Sequence, residues 1–139
     1  MPCFNAFIIY EDFSTNHQAE SVIDLLKAHL SGLEVRRNIW KFEMFSSSPM
    51  RALATEEALE SQMIVVALHQ DHTLPRIVQQ WLEDLFERMA GSQQEERALV
   101  VLLEGTLAEE PQTVTYLREL AKKSGFAFFT RTTESLAEV

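Results

Sequence analysis

The chain reads as an α/β protein, a three-layer α/β/α sandwich around a five-stranded parallel sheet. Two observations predict this. Five short apolar runs alternate with stretches of helical periodicity along the chain. The middle runs, "MIVVAL" (63–68) and "ALVVLL" (98–103), are apolar at every position, as strands buried on both faces must be. At 139 residues, with 46% hydrophobic and 24% charged residues, the chain has the size and balance of one folded domain, residues 1–139.

The elements follow in order. "AFIIY" (6–10) is the first strand and runs into the carboxylates Glu11 and Asp12. From Thr15 to Leu30, Ala19, Val22, Ile23, Leu26 and Leu30 recur at helical spacing, and Gly32 suits the position after a helix end. "LEVRRNIWKFEMF" (33–45) alternates in its second half and predicts a long, half-exposed strand near a sheet edge. Ser46 to Ser48 and Pro49 then offer caps and a first turn for a short helix.

After the strand at 63–68, Leu74, Ile77, Val78, Trp81, Leu82, Leu85, Phe86 and Met89 form one apolar stripe, with Pro75 at its start and Gly91 at its end. Trp40 and Trp81 are read as packing residues. Thr113 to Ser124 form a further helix closed by Gly125, and "FAFF" (126–129) is the fifth strand. Strands alternating with helices, joined by right-handed crossovers, favour the flavodoxin-like order 2-1-3-4-5. Only "TTESLAEV" (132–139) remains for a final helix, about two turns. One sheet face near strands four and five is therefore expected to be thinly covered, with Phe126 and Phe128 or Ala127 and Phe129 looking outward. Such a patch predicts a homodimer interface.

In this strand order ligands sit beyond the carboxyl ends of the strands, between strands one and three. Glu11 and Asp12 arrive there from strand one, and His69, Asp71 and His72 from strand three. Glu104 and Thr106 follow strand four, and Arg131 follows strand five. Carboxylates and imidazoles at one crevice suit a divalent metal such as magnesium. Glu104, Thr106 and Arg131 are further binding candidates. His17 and His29 read as surface residues of the first helix. The four glycines stand apart, so no glycine-rich phosphate cradle is present.

The net charge of −9 and the scattered basic residues, with doublets only at Arg36–Arg37 and Lys122–Lys123, disfavour nucleic acid and anionic membranes as partners. The lone Cys3, the lack of a long apolar run and the lack of a leader pattern at the N-terminus predict a cytoplasmic protein.

Three resemblances attach to these residues. The acids after strand one, together with strand count and order, resemble response-regulator receiver domains, in which paired acids hold magnesium. Leu68 and His69 stand where a receiver carries its phosphoacceptor aspartate, and "FFTRT" replaces the lysine that closes strand five. The resemblance implies a pseudo-receiver: a non-catalytic signalling or interaction module with an unidentified protein partner. "AFIIYEDF" also resembles the opening of Toll/interleukin-receptor-type domains. Glu83, two residues after Trp81, is then the residue to place in an NAD-cleaving site. Finally, "YEDF", "WKFEMF" and "LPRIVQQWLEDLF" resemble a group of small bacterial single-domain proteins of uncharacterised activity. From a different function class, a metal-dependent or nucleotide-processing enzyme would use the same crevice. It requires Glu11, Asp12 and His69 or His72 to converge there.

Overall fold

A computed structural model describes residues 3–29, 34–69, 73–90, 97–104 and 111–132. Five parallel strands, β1 (Cys3–Tyr10), β2 (Glu34–Lys41), β3 (Met63–His69), β4 (Ala98–Glu104) and β5 (Ala127–Thr132), make one sheet in the order β2-β1-β3-β4-β5. Four helices connect them: α1 (Phe13–His29), α2 (Ser48–Leu59), α3 (Arg76–Ala90) and α4 (Gln112–Ser124). The expected fold and order are thus observed.

Side-chain alternation divides the core. Ala6, Ile8, Val65, Ala67 and Leu102 face α1, where Ala19 and Ile23 meet them. Phe7, Ile9, Ile64, Val66 and Leu99 face α2, α3 and α4 on the other side. On that second face Phe7, Trp40, Phe45 and Trp81 form an aromatic cluster, with Phe45 and Trp81 centroids 4.7 Å apart and Phe7 and Trp81 5.6 Å apart. Each indole N–H is matched: Trp40 Nε1 donates to Glu57 at 2.8 Å and Trp81 Nε1 to Thr55 at 2.9 Å. Both tryptophans are packing residues, as expected. Ile77, placed in the apolar stripe of α3 by its spacing, is instead exposed.

Strand two is shorter than its alternation predicts. It stops at Lys41, and Phe42–Ser46 form a 3-10 turn. The reason is the core: with three residues per turn, Phe42 and Phe45 come to the same side and both are buried beside Trp40. A continued strand would send Phe42 and Phe45 to opposite faces. α2 then begins with Ser47 as its cap, the hydroxyl accepting from Met50 N–H, and a proline in the first turn. α4 ends at Gly125, whose φ of 78° is left-handed and lets its N–H return to the last carbonyls of the helix. β5 starts one residue later than expected and runs on through Arg131, because Phe126 turns into the α-helical core at 8% exposure. Of the two pairs of outward residues considered, Ala127 and Phe129 are the exposed ones.

Candidate functional site

Only Glu11 and Asp12 separate β1 from α1. This tight connection is closed by Thr15, whose side chain is fully buried. Thr15 Oγ1 accepts from the Asp12 N–H at 3.0 Å and the Glu11 N–H at 3.1 Å, and Asp12 Oδ1 accepts from the Thr15 N–H at 3.1 Å. Asp12 is therefore the cap of α1, and its main-chain oxygen accepts the Asn16 N–H at 3.0 Å. Glu11 continues the sheet: its N–H donates to Ala67 O at 3.0 Å, and its carboxylate accepts from the His69 N–H at 3.0 Å. These bonds fix the end of β3 against the end of β1.

His69 is the centre of the site. Its Nε2 lies 2.5 Å from Asp12 Oδ2, and its Nδ1 lies 2.8 Å from Glu104 Oε2 at the end of β4. The second contact is an ion pair off the hydrogen-bond line. The Ser14 hydroxyl, in the first turn of α1, donates to the other Glu104 oxygen. One imidazole thus bridges two carboxylates delivered by different strands. The hydrogen bond to Asp12 raises the His69 pKa, burial opposes it, and the charges of Asp12, Glu104 and Glu11 add to the rise. For Asp12, burial pushes the pKa up, but hydrogen bonds from His69 and Thr15 and the imidazolium charge outweigh it and leave it lowered.

Asp12, His69 and Glu104 each offer a ligand atom, and these atoms all lie within 4.8 Å of one another. Neutral imidazole with carboxylate oxygens suits manganese, zinc or iron better than magnesium, which prefers an all-oxygen shell. Asp12 Oδ2 and His69 Nε2 are the two atoms that would hold an ion, in place of the hydrogen bond between them. Nδ1 would then face Glu104 as an ion-pair neighbour at 2.8 Å.

Among the expected site residues, Asp12, His69 and Glu104 converge and Glu11 anchors the backbone beneath them. Asp71, His72 and Thr106 lie outside the described residues. Arg131 is exposed within β5 rather than beyond it, and its guanidinium donates to the Thr130 carbonyl at 2.8 Å. It is not part of this cluster. His17 is exposed, as expected. Glu83 is exposed on α3, beside an open groove of about 370 Å³ that Leu120 and Lys123 also line. Its charge and hydrogen bond add to the burial that pushes Tyr116 up to about 12. Ser14 was not among the expected residues, because a serine there reads simply as helix-start chemistry.

No protein-family model matches the chain, and no curated protein matches its sequence. Similar solved structures exist. A flavodoxin from Streptococcus pneumonia TIGR4 shares 17% identity over 96% of this chain and 90% of its own, at a TM-score of 0.56. The two-electron reduced flavodoxin of Megasphaera elsdenii shares 13% over 91% and 84%, at 0.61. A short-chain flavodoxin associated with a non-canonical PDU bacterial microcompartment shares 12% over 99% and 90%, at 0.60. At these identities the likeness is one of fold, and the fold is flavodoxin-like.

Proposed function

We propose that this chain is a divalent-cation-binding module of pseudo-receiver type, a signalling or protein-interaction domain without phosphotransfer. The observation that carries the proposal is the convergence of Asp12, His69 and Glu104 at the point where the strand order reverses. Asp12 Oδ2 and His69 Nε2 would hold the ion, and the Glu104 carboxylate, 2.8 Å from Nδ1, would add its charge beside the ring. The end of β3, where a phosphoacceptor carboxylate would be required, carries a buried Leu68 and the bridging His69.

The flavodoxin neighbours raise a different ligand for the same place, since flavin mononucleotide occupies this switch point in that fold. The residues here do not fit it. A phosphate needs free backbone N–H groups at a helix N-terminus. The N–H groups of Glu11, Asp12, Thr15 and Asn16 are engaged within the chain, which leaves at most those of Phe13 and Ser14 at the start of α1. The two-residue connection leaves no loop to wrap an anion, and three carboxylates surround the position. A phosphate dianion would meet charge of its own sign.

Thermal unfolding with manganese, zinc and magnesium tests the reading. At a free ion concentration of 100 Kd the native state gains about 2.7 kcal/mol, or about 8 °C for a domain of this size. Manganese or zinc is expected to give that shift, Asp12→Asn to abolish it, and Glu104→Gln to weaken affinity about tenfold or more. No shift with any ion would overturn the proposal. The metal-dependent enzyme is the second reading, because the Glu104 carboxylate lies 2.8 Å from the His69 ring beside the same position. Manganese-stimulated hydrolysis of p-nitrophenyl phosphate, lost in His69→Gln, would select it.

A further inference from the structure

Ile77 fits the apolar spacing of α3 and yet is 37% exposed. It is exposed because α2 and α3 do not close on one another at this point. Between them runs a crevice of about 240 Å³, lined by Arg51 of α2 and by Ile77, Gln80, Trp81 and Asp84 of α3. Ile77, Trp81 and Asp84 stand four and three residues apart, so they follow one another along one side of the helix over about 10 Å. The floor of the crevice is fixed. Trp81 packs in the aromatic cluster with Phe7 and Phe45, and its Nε1 donates to Thr55 Oγ1 at 2.9 Å and to the Arg51 carbonyl at 3.3 Å.

The two walls carry opposite charges that do not meet. Arg51 is tied to the 3-10 turn, where Nη1 donates to the Phe45 carbonyl, and this leaves Nε and Nη2 of its fork for another acceptor. Among the described residues no ion pair joins Arg51 to Asp84, and the exposed Asp84 carboxylate makes no hydrogen bond. A donor fork and an acid thus flank one indole floor and one apolar side chain. Charge of both signs disfavours a nucleotide or other polyanion, which would meet Asp84. A volume below the roughly 300 Å³ of ordinary ligand pockets suits a smaller molecule.

We propose that this crevice binds a free α-amino acid with a branched apolar side chain. The carboxylate of the amino acid would take the open N–H groups of Arg51, its ammonium would meet Asp84, and its side chain would lie against Ile77 and Trp81. Carboxylate and ammonium sit on one carbon, and with each about 2.8 Å from its partner they bridge a gap too wide for a direct ion pair. Gln80, exposed at the rim, adds an amide that can serve either charge. A zwitterion carries no net charge, so the −9 of the chain does not repel it. The crevice shares no residue with the Asp12, His69 and Glu104 cluster, and the proposal is independent of the cation reading.

The test titrates the whole chain, labelled with nitrogen-15, with L-leucine. Two tryptophans give two indole N–H signals, assigned through Trp40→Phe and Trp81→Phe. The Trp81 signal is expected to move and saturate with a Kd of about 1 mM. The Trp40 signal, from an indole bonded to Glu57 outside the crevice, should stay. L-Leucinamide lacks the carboxylate and N-acetyl-L-leucine lacks the ammonium, and each should bind about tenfold more weakly. Asp84→Asn, at an exposed position that leaves the fold intact, should weaken L-leucine about fivefold and leave N-acetyl-L-leucine unchanged, since that ligand has no ammonium to lose. Arg51→Lys keeps a cation but not the fork, and should weaken L-leucine while leaving L-leucinamide unchanged. No movement of the Trp81 signal up to about 20 mM would overturn the proposal. So would equal affinity for all three ligands, which would assign the crevice to an apolar or peptide group, or an Asp84→Asn effect of the same size on L-leucine and N-acetyl-L-leucine.

Discussion

Asp12 performs two tasks that two substitutions can separate. Its Oδ1 accepts the Thr15 N–H at the start of α1, and its Oδ2 lies 2.5 Å from His69 Nε2. Asp12→Ala removes both. Asp12→Asn keeps a capping oxygen and removes the charge. Loss of the cap costs about 1 kcal/mol. Because the Asp12 side chain is 45% exposed, solvent screening holds its ion pair to about 0.5 kcal/mol. Urea denaturation at pH 6, followed by circular dichroism, should therefore show losses of about 1.5 kcal/mol for Asp12→Ala and about 0.5 kcal/mol for Asp12→Asn. The pH dependence gives a second handle. The His69 pKa is raised above 6.5, so its contribution is complete below 6.5 and fades as pH rises through the folded value. The Asp12 pKa is lowered from 3.8, so its contribution is complete above 3.8 and is lost as pH falls through the lower folded value. The pair is then strongest between 3.8 and 6.5. Toward pH 9 the deficit of Asp12→Asn should close, while the gap between the two variants, which measures the cap, persists. Equal damage from both substitutions at pH 6, or a deficit of Asp12→Asn that grows with pH, would refute this account.

Phe45, fully buried among Phe7, Trp40 and Trp81, should lose about 3–5 kcal/mol on Phe45→Ala, read by urea denaturation. Gly125→Ala meets no neighbouring atom within 4 Å, so its expected cost of about 1 kcal/mol is backbone strain at positive φ alone, measured the same way. Acetyl phosphate should leave the mass of the protein unchanged, since no carboxylate follows the buried end of β3 at positions 68 and 69.

The fold was legible because its signals are redundant. β3 and β4 are apolar at every interior position, and α3 carries an apolar stripe bounded by Pro75, so period and punctuation agree. The sequence misleads where two periods coexist. Residues 39–45 satisfy a strand alternation, yet the spacing of Phe42 and Phe45 also fits a 3-10 turn, and burial of both rings decides it. At the site, the order of strands was enough to bring Asp12, His69 and Glu104 to one end of the sheet. Their pairing was not legible. Whether Glu11 or Asp12 meets the imidazole depends on Thr15, whose two accepted N–H groups set the turn and direct one acid to the helix start and the other to the β3 backbone. A threonine three residues after an aspartate is a common helix-start pattern and says nothing of a histidine 54 residues on.

The same cluster fixes how proton and ion must compete. Three carboxylates, from Glu11, Asp12 and Glu104, lie against His69, and a charged imidazolium offsets only one of them. At 2.5 Å the Nε2–Oδ2 line holds a proton, whereas an ion bound at about 2.0–2.2 Å from each ligand needs those atoms further apart. Proton and ion would therefore exclude one another, and an ion bound as proposed would release the proton. Affinity for manganese, measured by calorimetry in buffers of different ionisation enthalpy, should rise about tenfold per pH unit below the His69 pKa and level off above it. The buffer dependence should correspond to about one proton released per ion in the acidic range and none on the plateau. In Glu104→Gln the raising charge beside Nδ1 is lost, so the plateau should begin at lower pH while its affinity is weaker. An affinity indifferent to pH between 5 and 8 would place the ion on carboxylates alone, away from Nε2, and would remove His69 from the site.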